Sequence, residues 1–382
     1  MKNPTLTLLL ITCSASLTAA EVDFQEISGL LNEGMAKLVD KELLPPDRLF
    51  GRDQQDATSE LNEIIEESLF ILGSEAYLQK RDDYRKIETA LLAEQMLMAN
   101  KVERRTFAPD QGVTLQTRMI PTKSLKNIVA TTKGDYDLLI DVHRRNIDSF
   151  ESDLLSMRED LSSVLADLGI ILDLDEIEFL LSSKTGEDLI SMSVAFENVK
   201  AVTEQLGQLT AQTGENIDYA KRYYGMFVVL HELLLHMQQK FIGETNNVIL
   251  PQLDAFRAEA QDLISQTRTL IRSNPDNASL KANLKANELT VEAIDAYKAF
   301  VIEHRNRAVE AEAIIKKEAR IARNTYDTVN LSSNVTLMIK NGIDTFQTLA
   351  AIQMPTVAPF ENKDLEREFK KINVRLREGL AY

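Results

Sequence analysis

Residues 136–168 read YDLLIDVHRRNIDSFESDLLSMREDLSSVLADL. Tyr136, Ile140, His143, Ile147, Phe150, Leu154, Met157, Leu161, Val164 and Leu168 fall at alternating steps of four and three. That spacing keeps one face of an α-helix apolar along its whole length, and it predicts a second helix packed against that face. A strand would need a period of two, which the segment lacks. Gly169 and the Asp173-Leu174-Asp175 run end the helix, and a short helix follows near Asp175 to Leu181.

The same pattern resumes downstream. From about Gly186 to Ile271, Ala195, Val199, Val202, Leu206, Leu209, Thr213, Ile217, Ala220, Tyr224, Phe227, Leu230, Leu234, Met237 and Phe241 sit on one stripe. Ser273-Asn274-Pro275-Asp276-Asn277 is a turn signal. A weaker stripe then runs to about Met354, through Leu280, Leu284, Val291, Ile294, Val301, Ala308, Ile315, Ala319, Ala322, Tyr326 and Val329. A short connection favours antiparallel neighbours, so the two arms are expected to pack as a hairpin. Unbroken, such an arm would extend roughly 110 Å, so an elongated molecule is expected. Gly207, Gly214 and Gly225 weaken the first arm by roughly 1 kcal/mol each against Ala, and either admit a close neighbour or mark flexible points. Gly243 and Pro251 threaten its continuity. Lys298 and Arg305 lie on the second stripe, where the partner is expected to change or end.

The chain has only 14 glycines and 9 prolines in 382 residues, so helices can run long. The expected class is all-α. Three helices fit Asp23 to Asp40, Thr58 to Leu72 and Glu75 to Arg105, with Gly73-Ser74 as a stop followed by a new N-cap. Residues 106–134 break the pattern with Pro109, Gly112, Pro121 and Gly134. Val113 to Thr117 alternates as a strand would, and Ile128 to Thr132 is rich in β-branched residues, so a small β-hairpin or an irregular excursion is expected. His304 to Arg323 mixes both charge signs as a solvated face does. Between Thr328 and Phe360 only Lys340 and Asp344 are charged, which fits a buried helix or a docking surface. A last amphipathic helix fits Asn362 to Arg377, with Leu365, Phe369, Ile372 and Leu376 on one face. The expected organisation is a signal peptide over 1–20, N-terminal helices and excursion over 21–134, an elongated bundle over 135–360 and a C-terminal helix over 361–382.

Met1-Lys2-Asn3, the apolar Leu6 to Ile11 and the small residues before Glu21 read as an export signal. Cleavage there would remove Cys13, the single cysteine, and with it disulfide and thiolate chemistry. The expected location is periplasmic or extracellular. The formal net charge of −16 disfavours nucleic acid and anionic membrane as general partners. The most apolar mature stretch, Tyr223 to Met237, carries Glu232 and two histidines, so no simple membrane span is expected.

Candidate chemistry is sparse. His231 and His236 resemble a zinc-protease pair but are spaced by five, which turns the second ring away by roughly 140°. They read as helix-surface residues, with Glu232 and His236 as an i,i+4 pair. His143 reads as a hydrogen-bonded seam residue. Ile140, Val228, Leu233 and Val301 stand three before the histidines, so the di-iron Glu-x-x-His pattern is absent. The acidic Asp173 to Glu178 run lacks the turn glycine of a calcium loop. No catalytic, cofactor or metal residue is assigned, and no enzyme is expected. The expected function is that of an exported helical scaffold or interaction protein, with a protein partner or self-association. A helical pore-forming toxin, entering a membrane only through conformational change, and a helical-bundle ligand sensor are the alternatives.

Overall fold

The computed structural model describes residues 24–47, 51–119, 130–213, 217–331, 348–349, 352 and 362–380. Every regular element among them is helical. The segment read as an export signal and most of the charge-poor 328–360 segment lie outside these residues, but Leu349 is fully buried in the central core.

Helix α1 (Phe24–Leu43) buries Ile27, Leu31 and Leu38, the stripe its sequence shows. Helix α2 (Gln54–Leu72) starts earlier than its apolar stripe suggests. Asp53 accepts from the Asp56 N–H while the Asp56 carboxylate accepts from the Asp53 N–H, a reciprocal cap that adds a helical turn. Ser74 makes no capping hydrogen bond before α3 (Glu75–Phe107). It turns the chain through a positive φ of 57° instead, while Gly73 keeps a helical backbone.

Helix α5 (Lys133–Asp167) carries the heptad seam, and the helix it requires is α3, running antiparallel. Lys80 pairs with Asp160 at 2.7 Å, Glu94 with His143 at 2.9 Å, and Arg105 with Asp137 near the far end. Ile140, Ile147, Leu154 and Leu161 are buried along the seam; Phe150 and Met157 are half-buried. Leu154→Ala should therefore cost ~2–5 kcal/mol, measured by urea unfolding. An unchanged midpoint would mean that the seam is not packed.

Helix α4 (Leu115–Arg118) is a single turn, capped by the Thr114 hydroxyl accepting from the Thr117 N–H. The strand reading of 113–117 is thus corrected. Of the two threonines in the alternation, Thr114 caps the turn and Thr117 lies within it, bonded to Thr114, and the described part of the excursion is irregular. Helix α6 (Leu174–Leu181) begins at another reciprocal cap, Asp173 with Glu176, which accounts for the acidic run.

The first arm is not one helix. Helix α7 (Lys184–Thr213) and helix α8 (Ile217–Glu244) are separate, and α7 runs back along α8. Met192 and Ala195 share one wall with Met237 and Phe241. Helix α7 ends at Thr213 and helix α8 begins at Ile217, and the chain does not reverse at Gly243 or Pro251. There the helix continues through a π-helical turn (Thr245–Ile249), in which the Leu250 N–H bonds the Thr245 carbonyl five residues back. The extra residue gives the Pro251 ring room that a regular turn would deny it.

Helix α9 (Leu250–Ser273) and helix α10 (Ala278–Leu331) form the expected antiparallel pair. Arg268 meets Glu288 at 2.8 Å, Arg257 meets Asp295 at 2.6 Å, and Gln239 of α8 meets Glu312 at 3.0 Å. The partner does not end at the polar stripe positions. Lys298 pairs with Asp254, and Arg305 donates to Asn246 in the π-helical turn at 2.9 Å.

The central core gathers α1, α2, α7, α8 and α10 around α8. A Cβ on Gly225 would lie 2.9 Å from the Met35 Cγ, so this glycine lets α1 cross α8 closely. A second cluster joins Tyr77 and Tyr84 of α3 to Leu161, Ile177 and Ile190. In a third, helix α11 (Lys363–Leu380) lays Phe369, Ile372 and Leu376 against Tyr297 of α10. The Phe369 ring stacks on Phe179 at 5.3 Å. Packing therefore crosses residues 134 and 361.

Candidate interaction surfaces

The central position of α8 decides the fate of its histidines. His231 is 1 % exposed. Its Nδ1 lies 2.9 Å from the Phe227 carbonyl and its ring edge packs on Phe227. Burial lowers its pKa to about 4. His236 bonds Glu66 at 2.9 Å, not Glu232. The surface reading of His231 and the Glu232–His236 pairing are both corrected, because α8 is covered on several sides. The two rings have separate partners. His143 is buried, its Nδ1 2.9 Å from Glu94 Oε1, and Asn146 donates to the same carboxylate. His304, which sequence reasoning passed over, is 2 % exposed and packs on Phe300, with Nε2 unbonded. Burial lowers its pKa to about 4 as well. Among the described residues no group of three or more His, Cys, Asp or Glu could hold a metal ion.

An ionic cluster built around one buried carboxylate ties α3, α7 and α11 together. Glu187, 2 % exposed, pairs with Arg85 and with Arg377, the latter at 2.8 Å. Arg377 also reaches Glu88 at 3.3 Å and the Leu181 carbonyl at 2.8 Å. Beside it, α2, α3, α7 and α8 line a groove of about 420 Å³ with Leu69, Met192, Met237 and Phe241 among its apolar residues. Its cations are committed: Lys240 to Glu66, Lys184 to Asp188 and Arg81 to Asp82.

Two helical arms leave the core. From Leu92 to Phe107, Glu94 is the only buried residue of α3, while Leu92, Met96, Leu97, Val102 and Phe107 are exposed. That stretch is about 24 Å long. On the other arm no residue from 268 to 292 is buried. Ile264, Ile271, Leu280 and Leu284 are half-buried between the helices, and Leu263 and Leu270 face outward.

The α3–α5 arm ends in a knitted tip. Asp135, 1 % exposed, accepts from the Thr114 N–H at 2.9 Å, the Thr114 hydroxyl at 3.1 Å and the Thr131 N–H at 3.3 Å. Burial alone would raise its pKa, but hydrogen bonds from Thr114, Thr117 and Thr131 outweigh it and hold the carboxyl below its usual range. The Thr132 hydroxyl donates to the Gly112 carbonyl at 3.0 Å, and the Gly134 N–H donates to Gln111. A Cβ on Gly134 would fall 2.4 Å from the Val113 nitrogen, so only glycine admits this approach. No sequence motif marks this network, because its members come from both sides of the excursion.

No protein-family model matches the chain, and no curated protein or solved structure is detectably similar to it.

Proposed function

We propose that the protein is a non-enzymatic helical scaffold, exported to the periplasm or beyond the cell, whose two arms are its binding surfaces. The observation that carries this reading is the thinness of the arms. Each buries a single seam and leaves apolar side chains uncovered over several helical turns. Such surface adds little to a core, whereas contiguous exposed apolar surface characterises interaction sites. A pore-forming toxin is the weaker reading, because no described helix is long and apolar enough to cross a membrane. A ligand sensor is weaker too, because the groove's cations are already paired.

Photo-crosslinking amino acids at Met96, Leu263 and Leu270 test the reading in the native host. Discrete adducts are expected at arm positions and none at Leu78 in the groove wall. Scattering from the purified monomer should give a radius of gyration clearly above the roughly 21 Å of a compact chain this long. Adducts at Leu78 alone, or a compact profile, would overturn it.

A further inference from the structure

We infer that the groove lined by α2, α3, α7 and α8 binds a small organic monocation, an ammonium head on a hydrocarbon body, with Glu244 meeting the head and Leu69, Met192, Met237 and Phe241 the body. The inference goes beyond the scaffold reading and does not depend on it. The groove lies against the central core, not on either arm.

Room, lining and charge each bear on the ligand. A volume of about 420 Å³ falls within the roughly 300–1,000 Å³ of small-molecule sites. The apolar lining includes two methionines, whose unbranched side chains adapt to a hydrocarbon guest. At the wall the signs are equal in number: Arg81, Lys184 and Lys240 against Glu66, Asp188 and Glu244. They do not match pair by pair. Glu66 holds Lys240 at 2.7 and 2.9 Å, and Asp188 holds Lys184. Arg81 is held at 2.8 Å by Asp82, a carboxylate outside the wall. With Asp82 counted, four carboxylates meet three cations, and the adjoining cluster of Arg85, Arg377, Glu88 and Glu187 adds two of each sign.

The carboxylate left over is Glu244. It is half-buried and has no ion pair or hydrogen bond among the described residues. Beside it Asp188 buries its Oδ2 without a hydrogen-bond partner. Burial raises the Asp188 pKa and the Glu244 charge adds to that rise, so the two carboxylates are close enough to repel. The end of α2 and the start of α7 both border the groove, with dipoles of opposite sign, and choose nothing between them.

These facts select the ligand class. An anionic ligand would meet cations already held and one more carboxylate. An uncharged one would displace water from Glu244 and return no partner for it. A bare metal ion would leave the apolar wall unused, and no group of three or more His, Cys, Asp or Glu among the described residues could hold it. An ammonium with a hydrocarbon body answers both the unmatched carboxylate and the apolar lining.

The test is calorimetric titration of the full chain with octylammonium, octanol and octanoate, each below its micellar concentration. Octylammonium should saturate one site and bind at least about tenfold tighter than the other two, the worth of one hydrogen bond to a charged group. From butylammonium to octylammonium, affinity should rise by up to about fourfold per methylene added. Glu244→Gln should weaken octylammonium by at least about tenfold and leave octanol unchanged. Far-ultraviolet dichroism should confirm that this variant is folded, and the ligand series needs no variant at all. Glu292→Gln, at an exposed carboxylate on α10, should bind as the parent does. No saturable binding of octylammonium, equal or tighter binding of octanol or octanoate, or an affinity indifferent to chain length would each overturn the inference. So would full octylammonium affinity in folded Glu244→Gln.

Discussion

Acidification from pH 6.5 to pH 4 should remove about 5 kcal/mol of folding stability, roughly 2.5 from each of two buried histidines. His231 and His304 titrate at 6.5 when unfolded, and burial lowers both to about 4 in the folded chain. Their contribution is fully present above pH 6.5, where both states are neutral. Between pH 6.5 and pH 4 the unfolded chain binds two protons that the folded chain refuses, so stability falls with pH throughout that window. Burial raises the pKa of Asp188 and Glu232. These carboxyls work in the opposite sense, binding protons first in the folded chain, and so soften the lower part of the decline. Typical domains hold only about 5–15 kcal/mol in total, so the protein should be close to unfolding near pH 4. Urea midpoints taken at intervals from pH 7 to pH 4 measure the slope. It should be roughly halved in His304→Gln, whose amide does not ionise. A flat profile between pH 6.5 and pH 5 would show that neither ring is held neutral by burial.

His231 also shows where the sequence could have been read further. Met226 to Leu230 and Leu233 to Leu235 leave almost no polar face around it, the pattern of a helix buried on several sides. Spacing alone cannot report that, because it compares residues only along one face. The seam of α5 was legible for the opposite reason. Its apolar and polar faces are cleanly divided, and burial follows the heptad at Ile140, Ile147, Leu154 and Leu161. Its partner α3 was legible as a helix but not as the facing helix. It meets the seam partly through Glu94, whose carboxylate is held by His143 and Asn146, so polarity disguised the contact.

The reversal between α7 and α8 was hidden by a coincidence of phase. Leu209, Thr213, Ile217 and Ala220 keep steps of three and four across the break, so periodicity alone could not expose it. A continuous stripe shows which face is apolar, not that one helix carries it. Pro251 gave the opposite error, since the π-helical turn absorbs it without a break. The arm tip fell within a segment recognised as irregular. Its organising residue, Asp135, draws on Thr114 and Thr131 from both sides of the excursion, a pairing no local pattern displays.

Glu187→Ala should be among the most damaging single substitutions, at up to about 3 kcal/mol, because it removes a buried carboxylate and leaves two half-buried arginines facing each other. Glu187 sits 2 % exposed between Arg85 and Arg377, which come from α3 and α11. Burial, followed by repulsion from Arg377, already lowers the pKa of Arg85. Without the carboxylate only Asp82 and Glu88 offset that repulsion. Arg377 would keep Glu88 and the Leu181 carbonyl, while Arg85 would lose its bonded carboxylate. The damage should spread from there, since the cluster joins α3 and α11 to the start of α7. Urea unfolding measures the loss, and proteolysis should clip near α11 first, as its docking loosens. The cost belongs to the unpaired charges rather than to the loss of an attraction, and a second variant separates the two. Arg85→Met, Glu187→Leu and Arg377→Met together remove every charge that Glu187 organises and should recover most of the stability. A triple variant as unstable as Glu187→Ala would mean that the ion pairs themselves, and not the avoidance of repulsion between unmatched arginines, hold the base of the arm.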